Sequence, residues 1–138
     1  MDMTALFCNN AETEANGMLN IHGVFNELYA PDFPAKQDRI VLVGIVEWQR
    51  DVSGREPFRI DLTDPDGDPI FTVDGYTDVK ATSESEPPAK THFILPLENV
   101  IFTQPGRYAT RIELHGKTFA GPSLHLMKSQ PERKTSTA

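Results

Sequence analysis

Apolar and polar side chains alternate with a period of two along most of this chain. In one clear segment Tyr108, Thr110, Ile112 and Leu114 alternate with polar or small neighbours. Successive side chains of a β-strand point to opposite faces, whereas a helix requires a period near 3.6. No window of a dozen residues carries a convincing amphipathic helix pattern. The sequence therefore predicts an all-β fold.

Turn signals divide these segments into about seven or eight strands. The run "RIVLVGIVEW" is apolar on both faces until Glu47, which is typical of a strand at the centre of a sheet. The residues Asp64–Gly67, "DPDG", predict a hairpin turn, and Gly116-Lys117 fits a two-residue type II′ loop. Many short strands with such turns predict a single antiparallel β-sandwich.

The length of 138 residues fits one domain with its own core. We expect the β-sandwich domain to cover residues 1–128. Alanine is the only apolar residue type in the tail 129–138, and it is too small to anchor the tail. We therefore expect the tail to be disordered. The polar segment from Gly75 to Lys90, rich in serine and proline, is expected to be a mobile surface excursion.

The net charge of −7 argues against binding to nucleic acid or to an anionic membrane, since both require a basic surface. The chain shows no signal-like start, and no apolar run approaches the roughly 20 residues that span a bilayer. We therefore expect a cytoplasmic protein. Its partner is expected to be a protein, either a different chain or a second copy.

Cofactor and catalytic signatures are missing from the sequence. Cys8 is the single cysteine and alternates with Leu6, so we expect a small buried side chain without a disulfide. The four histidines form no metal-ligand pattern, and no nucleophile elbow or phosphate-binding loop is found. By the same alternation Trp48 belongs to the core. No cofactor or metal is expected.

An acidic region extends from Asp61 to Glu86, where Lys80 is the only base. We interpret Asp64, Asp66 and Asp68 as turn residues, because aspartate accepts local backbone hydrogen bonds. The alternative is a site formed by these residues with Asp61, which would bind a metal or a ligand or support hydrolysis.

The stretch "YAPDFP" precedes the apolar central strand. Its two prolines favour extended geometry in the residues before them, which predicts a stiff crossing from one sheet to the other. In that role Phe33, and with it Tyr29, would close the end of the core. The functional alternative is a pair of exposed aromatic side chains, Tyr29 and Phe33, that binds a protein partner.

The order of four motifs, "NIHGVF", "YAPDFP", "DPDG" and "PGRY", resembles a family of small, mostly bacterial proteins catalogued only as a domain of unknown function. The resemblance extends from Leu19 to Leu126. It implies a compact β-sandwich of immunoglobulin-like character, and it brings no catalytic residue.

The function that these features favour is a non-catalytic protein-binding or adaptor module. One alternative is a ligand-binding or metal-binding domain, or a hydrolase, that uses the acidic residues. Another is a structural subunit that assembles with its own copies by edge pairing.

Overall fold

The computed structural model describes residues 1–129 and confirms the all-β prediction for them. It contains nine strands, more than the seven or eight expected. None of these residues belongs to a helix long and apolar enough to cross a membrane. The strands are β1 (Asp2–Thr13), β2 (Leu19–Phe25), β3 (Glu27–Ala30), β4 (Ala35–Glu47), β5 (Gly54–Thr63), β6 (Pro69–Val79), β7 (Lys90–Phe102), β8 (Gly106–Leu114) and β9 (Lys117–Lys128).

The strands form two sheets. Sheet A has the order β2-β1-β4-β7, and all of its neighbouring strands are antiparallel. Sheet B has the order β3-β9-β8-β5-β6, and its first pair, β3 with β9, is parallel. The prediction of a purely antiparallel fold is therefore wrong for sheet B. The parallel pair arises because β3 is a short strand at the edge of sheet B, and the chain reaches it directly from β2 of sheet A.

One large hydrophobic core contains side chains from both sheets. Phe102 of β7 and Tyr108 of β8 are fully buried, with their ring centroids 5.0 Å apart in an edge-to-face arrangement. Trp48 is also buried as expected, and its indole N–H donates a 2.8 Å hydrogen bond to Thr91 Oγ1. The indole is therefore buried without an unsatisfied donor.

The opposite face of β4 forms a second, smaller apolar cluster. Val41 and Val43 are buried there together with Cys8 and Ala11. This confirms that the apolar run of β4 is buried on both faces and that Cys8 is a buried side chain. The sequence pattern indicated a central strand, and β4 lies between β1 and β7.

Both predicted hairpins are present, but one loop is shifted. Asp64 caps the β5–β6 turn, because its Oδ1 accepts hydrogen bonds of 2.9 Å from the backbone N–H groups of Asp66 and Asp68. In the β8–β9 hairpin Leu114 pairs with Lys117, so the loop is His115-Gly116 and not Gly116-Lys117. Both loop residues have positive φ, 53° and 71°, as a type I′ turn requires.

The segment from Gly75 to Lys90 is more ordered than expected. β6 continues to Val79, so only the residues after it form a connection. Arg50 holds that connection, because its guanidinium donates hydrogen bonds of 3.0 Å and 2.8 Å to the carbonyl oxygens of Ser83 and Glu86. Of the expected tail, Ser129 is described, and its N–H donates to the carbonyl of Ala30. Residues 130–138 lie outside the described part of the chain.

Candidate functional site

The "YAPDFP" stretch joins β3 of sheet B to β4 of sheet A, as the two prolines predicted. The structure separates the two aromatic side chains that the sequence suggested as a pair. Phe33 is half-buried and packs against the large core, so its predicted core-closing role is confirmed. Tyr29 is 58% exposed, so the expectation that it also closes the core is wrong.

Tyr29 lies beside Met127, a residue that the sequence did not suggest. The two are direct partners in the parallel pairing of β3 and β9. The preceding partners, Leu28 and Leu126, belong to the core, so alternation turns Tyr29 and Met127 to the outside. Met127 is 42% exposed. We call this pair of side chains on the edge of sheet B the Tyr29–Met127 edge.

Three contacts hold β3 against β9. At the start of β3 the N–H of His125 donates a 2.8 Å hydrogen bond to the carbonyl of Asn26. At its end the N–H of Ser129 donates a 2.9 Å hydrogen bond to the carbonyl of Ala30. Lys128 Nζ also lies 3.9 Å from Asp32 Oδ1 across the same end. The edge is therefore presented on a strand that is fixed at both ends.

Within residues 1–129, β9 is the only strand hydrogen-bonded to β3. An edge strand leaves one side of its backbone without ladder partners, and an extended chain can pair with that side. Chemically, this edge can therefore offer main-chain hydrogen bonds beside an exposed aromatic ring and a thioether. Main-chain pairing at a sheet edge is one way in which proteins bind extended peptides.

The acidic residues are separated by the structure into different roles. Asp61 is 8% exposed near the end of β5, where its Oδ1 accepts a 2.6 Å hydrogen bond from Thr72 Oγ1. Its Oδ2 lies 3.5 Å from Arg59 Nε. Asp64 caps the turn described above, and Asp68 takes part in it through its backbone, because its N–H donates to Asp64 Oδ1 and its carbonyl accepts from the N–H of Asp64. The carboxylates of Asp61 and Asp64 thus each have a structural role within their own hairpin.

Asp66, in the same turn, accepts a 2.9 Å hydrogen bond from Gln104 Nε2 and so connects the β5–β6 turn to the β7–β8 corner. In the part of the chain that the structure describes, no group of three or more His, Cys, Asp or Glu side chains is placed to hold a metal ion. The four aspartates that the sequence suggested as a site therefore do not converge on one point.

A histidine–carboxylate pair lies at the other end of sheet B. His115 Nδ1 is 2.7 Å from Glu56 Oε1, and the Trp48 ring lies edge-on to His115 at 6.0 Å. An open groove beside the pair is lined by residues that include Arg59 and Asp74. A carboxylate can orient a histidine, but general base catalysis also requires a nucleophile or a substrate proton within reach of the ring. The groove has no cysteine or serine in its lining, and Thr118 provides the one side-chain hydroxyl there.

Sequence comparison identifies a family and no characterised relative. Comparison with curated proteins gives no match. A family described as a family of unknown function, DUF6941, matches residues 3–127. The match includes both sheets and the Tyr29–Met127 edge, and it agrees with the resemblance seen in the four motifs. The chain belongs to this DUF6941 family of unknown function.

Proposed function

We propose that this chain is a non-catalytic protein-binding module that receives an extended segment of a partner protein along β3. The observation that carries the proposal is the pairing of Tyr29, on the edge strand β3, with Met127 of the neighbouring strand β9. Their exposed fractions of 58% and 42% leave both side chains available to a partner.

The chemistry of these two side chains supports recognition of a peptide. A tyrosine ring provides a large contact area and loses few torsional degrees of freedom when it is fixed, so it contributes strongly to interfaces. Methionine is flexible and polarizable, so it can adapt to different apolar side chains. Main-chain pairing along β3 would add affinity that does not depend on the sequence of the partner.

We also propose that the fold is an immunoglobulin-like sandwich. Tyr108 stands at the start of β8, and its hydroxyl hydrogen-bonds back to Gln104. A tyrosine with this backbone contact is typical of the corner that precedes the sixth strand of immunoglobulin domains. Thr110 stands two residues later, where antibody domains have their second cysteine. Such scaffolds hold short edge strands rigidly, which reduces the conformational entropy that is lost on binding.

A peptide-display selection tests the proposal. Random peptides of about a dozen residues are selected on the folded chain, and their affinities are compared with a Tyr29→Ala/Met127→Ala variant. We expect the selected peptides to bind the variant at least about tenfold more weakly, since truncation of a central anchor commonly costs about 2 kcal/mol or more.

The matched control is Tyr76→Ala, because Tyr76 is also an exposed tyrosine on an edge strand, β6. This variant should bind the selected peptides as the parent chain does. A selection without enriched peptides, or peptides that bind the double variant equally well, would contradict the proposal.

A further inference from the structure

We propose that a second copy of this chain binds to the outer face of sheet A, a site distinct from the Tyr29–Met127 edge. The face is defined here by the outward side chains of all four strands of sheet A, β2, β1, β4 and β7. Its centre is Val43, which pairs with Ile94 on one side and with Leu6 of β1 on the other. The inference is independent of the peptide-binding proposal, because it concerns the other sheet.

The centre of this face is apolar where a solvated sheet would be polar. The buried side chains of the second cluster, among them Val41 and Val43, are covered by four apolar side chains that are themselves only partly buried. Antiparallel sheets normally present polar side chains on the side that faces water. A contiguous apolar surface of this kind is typical of an interaction site. The covering side chains are Leu6, Leu19, Ile21 and Ile94.

Four charged side chains of β4 and β7 lie around this apolar centre in a symmetric arrangement, and Asp2 of β1 adds a further negative charge beside Glu47. On β4, Arg39 precedes Val43 by four residues and Glu47 follows it by four. Their direct partners on β7 are Glu98, opposite Arg39, and Lys90, opposite Glu47. Directly paired residues share a face of the sheet, so all four charges lie on the same side as Val43. A positive and a negative charge therefore lie at equal distances from the centre on each strand.

This arrangement is complementary to itself under one particular two-fold rotation. An axis that lies in the interface, runs across the strands and passes through Val43 brings Arg39 over Glu47 of the second copy. The same rotation brings Glu98 over Lys90 of the second copy. An axis parallel to the strands would instead place Arg39 over its own equivalent. Two-fold interfaces require such self-complementarity, whereas a different partner has no need of it.

The area of the face is sufficient for a second copy as the occupant, whereas the net charge of the chain weakens its self-association. The chain carries a net charge of −7, so two copies repel each other except where their charges are paired. Four strands spaced about 4.8 Å apart and about eight residues long give a face of roughly 500 Å² per copy. This lies near the lower limit for a specific interface. We therefore expect a dimer with a dissociation constant on the order of 10–100 µM.

Sedimentation equilibrium of the full chain between about 1 µM and 1 mM tests the proposal through charge reversal. In Arg39→Glu, two like-charge contacts replace two attractive ones in each dimer, and the same holds for Glu47→Arg. Each variant alone should show a dissociation constant at least about tenfold higher than the parent chain. Both side chains are at least partly exposed, so both variants should fold.

An equimolar mixture of the two variants is the decisive sample. In a mixed dimer the carboxylate introduced at position 39 of one copy meets the guanidinium introduced at position 47 of the other, and the second contact keeps its original pair. The mixture should therefore dimerise within about threefold of the parent chain. The control is Arg107→Glu, the same change on an exposed residue of sheet B, which should leave dimerisation unchanged.

A parent chain that stays monomeric to about 1 mM would overturn the proposal. A mixture whose dissociation constant is as high as those of the two separate variants would also overturn it. Peptide binding at β3 should persist in Arg39→Glu and in Glu47→Arg. A failure of self-association is therefore distinguishable from a failure of the peptide-binding proposal.

Discussion

The hydroxyl of Tyr108 donates a 2.7 Å hydrogen bond to the carbonyl oxygen of Gln104, four residues earlier in the chain. The backbone N–H of Gln104 donates to the same hydroxyl oxygen at 3.2 Å. The Tyr108 ring is fully buried, and both hydrogen bonds are partly buried. This contact fixes the corner through which β7 of sheet A leads to β8 of sheet B.

Tyr108→Phe should therefore lower the free energy of unfolding by about 1–3 kcal/mol, because two backbone groups at the corner lose their partner. Urea unfolding followed by fluorescence measures the change. Tyr76→Phe, on an exposed ring, is the matched control and should change stability by less than about 0.5 kcal/mol. Equal stabilities of the two variants would show that the corner contributes little.

Thr110 differs from Tyr108, since its buried Oγ1 has no hydrogen-bond partner among residues 1–129. Thr110→Val removes this hydroxyl at nearly constant volume and should raise the free energy of unfolding by about 1 kcal/mol. Thr63→Val is the control, because the Thr63 hydroxyl donates a 3.3 Å hydrogen bond to the carbonyl of Ala109. That variant should be destabilised, and a loss of stability in both variants would contradict the account of Thr110.

The two aromatic residues of the crossing should respond differently to truncation. Phe33→Ala removes a ring that packs against the core and should cost about 2 kcal/mol of unfolding free energy. Tyr29→Ala removes an exposed ring and should change stability by no more than about 0.5 kcal/mol. Chemical denaturation of the two variants measures both values. A larger loss for Tyr29→Ala would assign Tyr29 a structural role.

Burial raises the pKa of the Cys8 thiol above its ordinary value, although the backbone of Asn10 and the charge of Arg39 act in the opposite direction. A raised pKa in the folded state means that the folded chain holds the thiol proton more tightly. The associated stability is present below the unfolded pKa of about 8.5 and is lost as pH rises through the folded pKa.

The thiol of Cys8 should accordingly react with an aromatic disulfide reagent at about pH 8 at least about a hundredfold more slowly in the folded chain than in denaturant. The single cysteine makes the measurement specific to this site. Equal rates in the two conditions would show that the second apolar cluster is open to solvent.

Local patterns in the sequence were sufficient to predict most of the strands. Alternation, the prolines and the Asp64–Gly67 turn indicate an all-β chain with a crossing before β4, and the structure agrees. The turn between β8 and β9 was misplaced by one residue because His115 adopts a positive φ, which is uncommon outside glycine. Propensity alone favours glycine as the first residue of that loop.

Long-range pairing could not be predicted from local patterns. The parallel contact of β3 with β9 joins residues that are far apart along the described chain. Met127 could therefore not be predicted from the sequence as the neighbour of Tyr29. For the same reason the pairing of Glu56 with His115 was missed. The difference between the exposed Tyr29 and the half-buried Phe33 depends on packing against the core, which local patterns do not determine.

The central claim, that β3 receives an extended peptide, is tested most directly by amide chemical shifts of the ¹⁵N-labelled chain on titration with a selected peptide. The account predicts that the largest shift changes fall on residues 27–30 and 126–128, and that β3 amides exchange more slowly with solvent when peptide is bound. Shift changes centred on sheet A or on β6, with β3 unaffected, would contradict it.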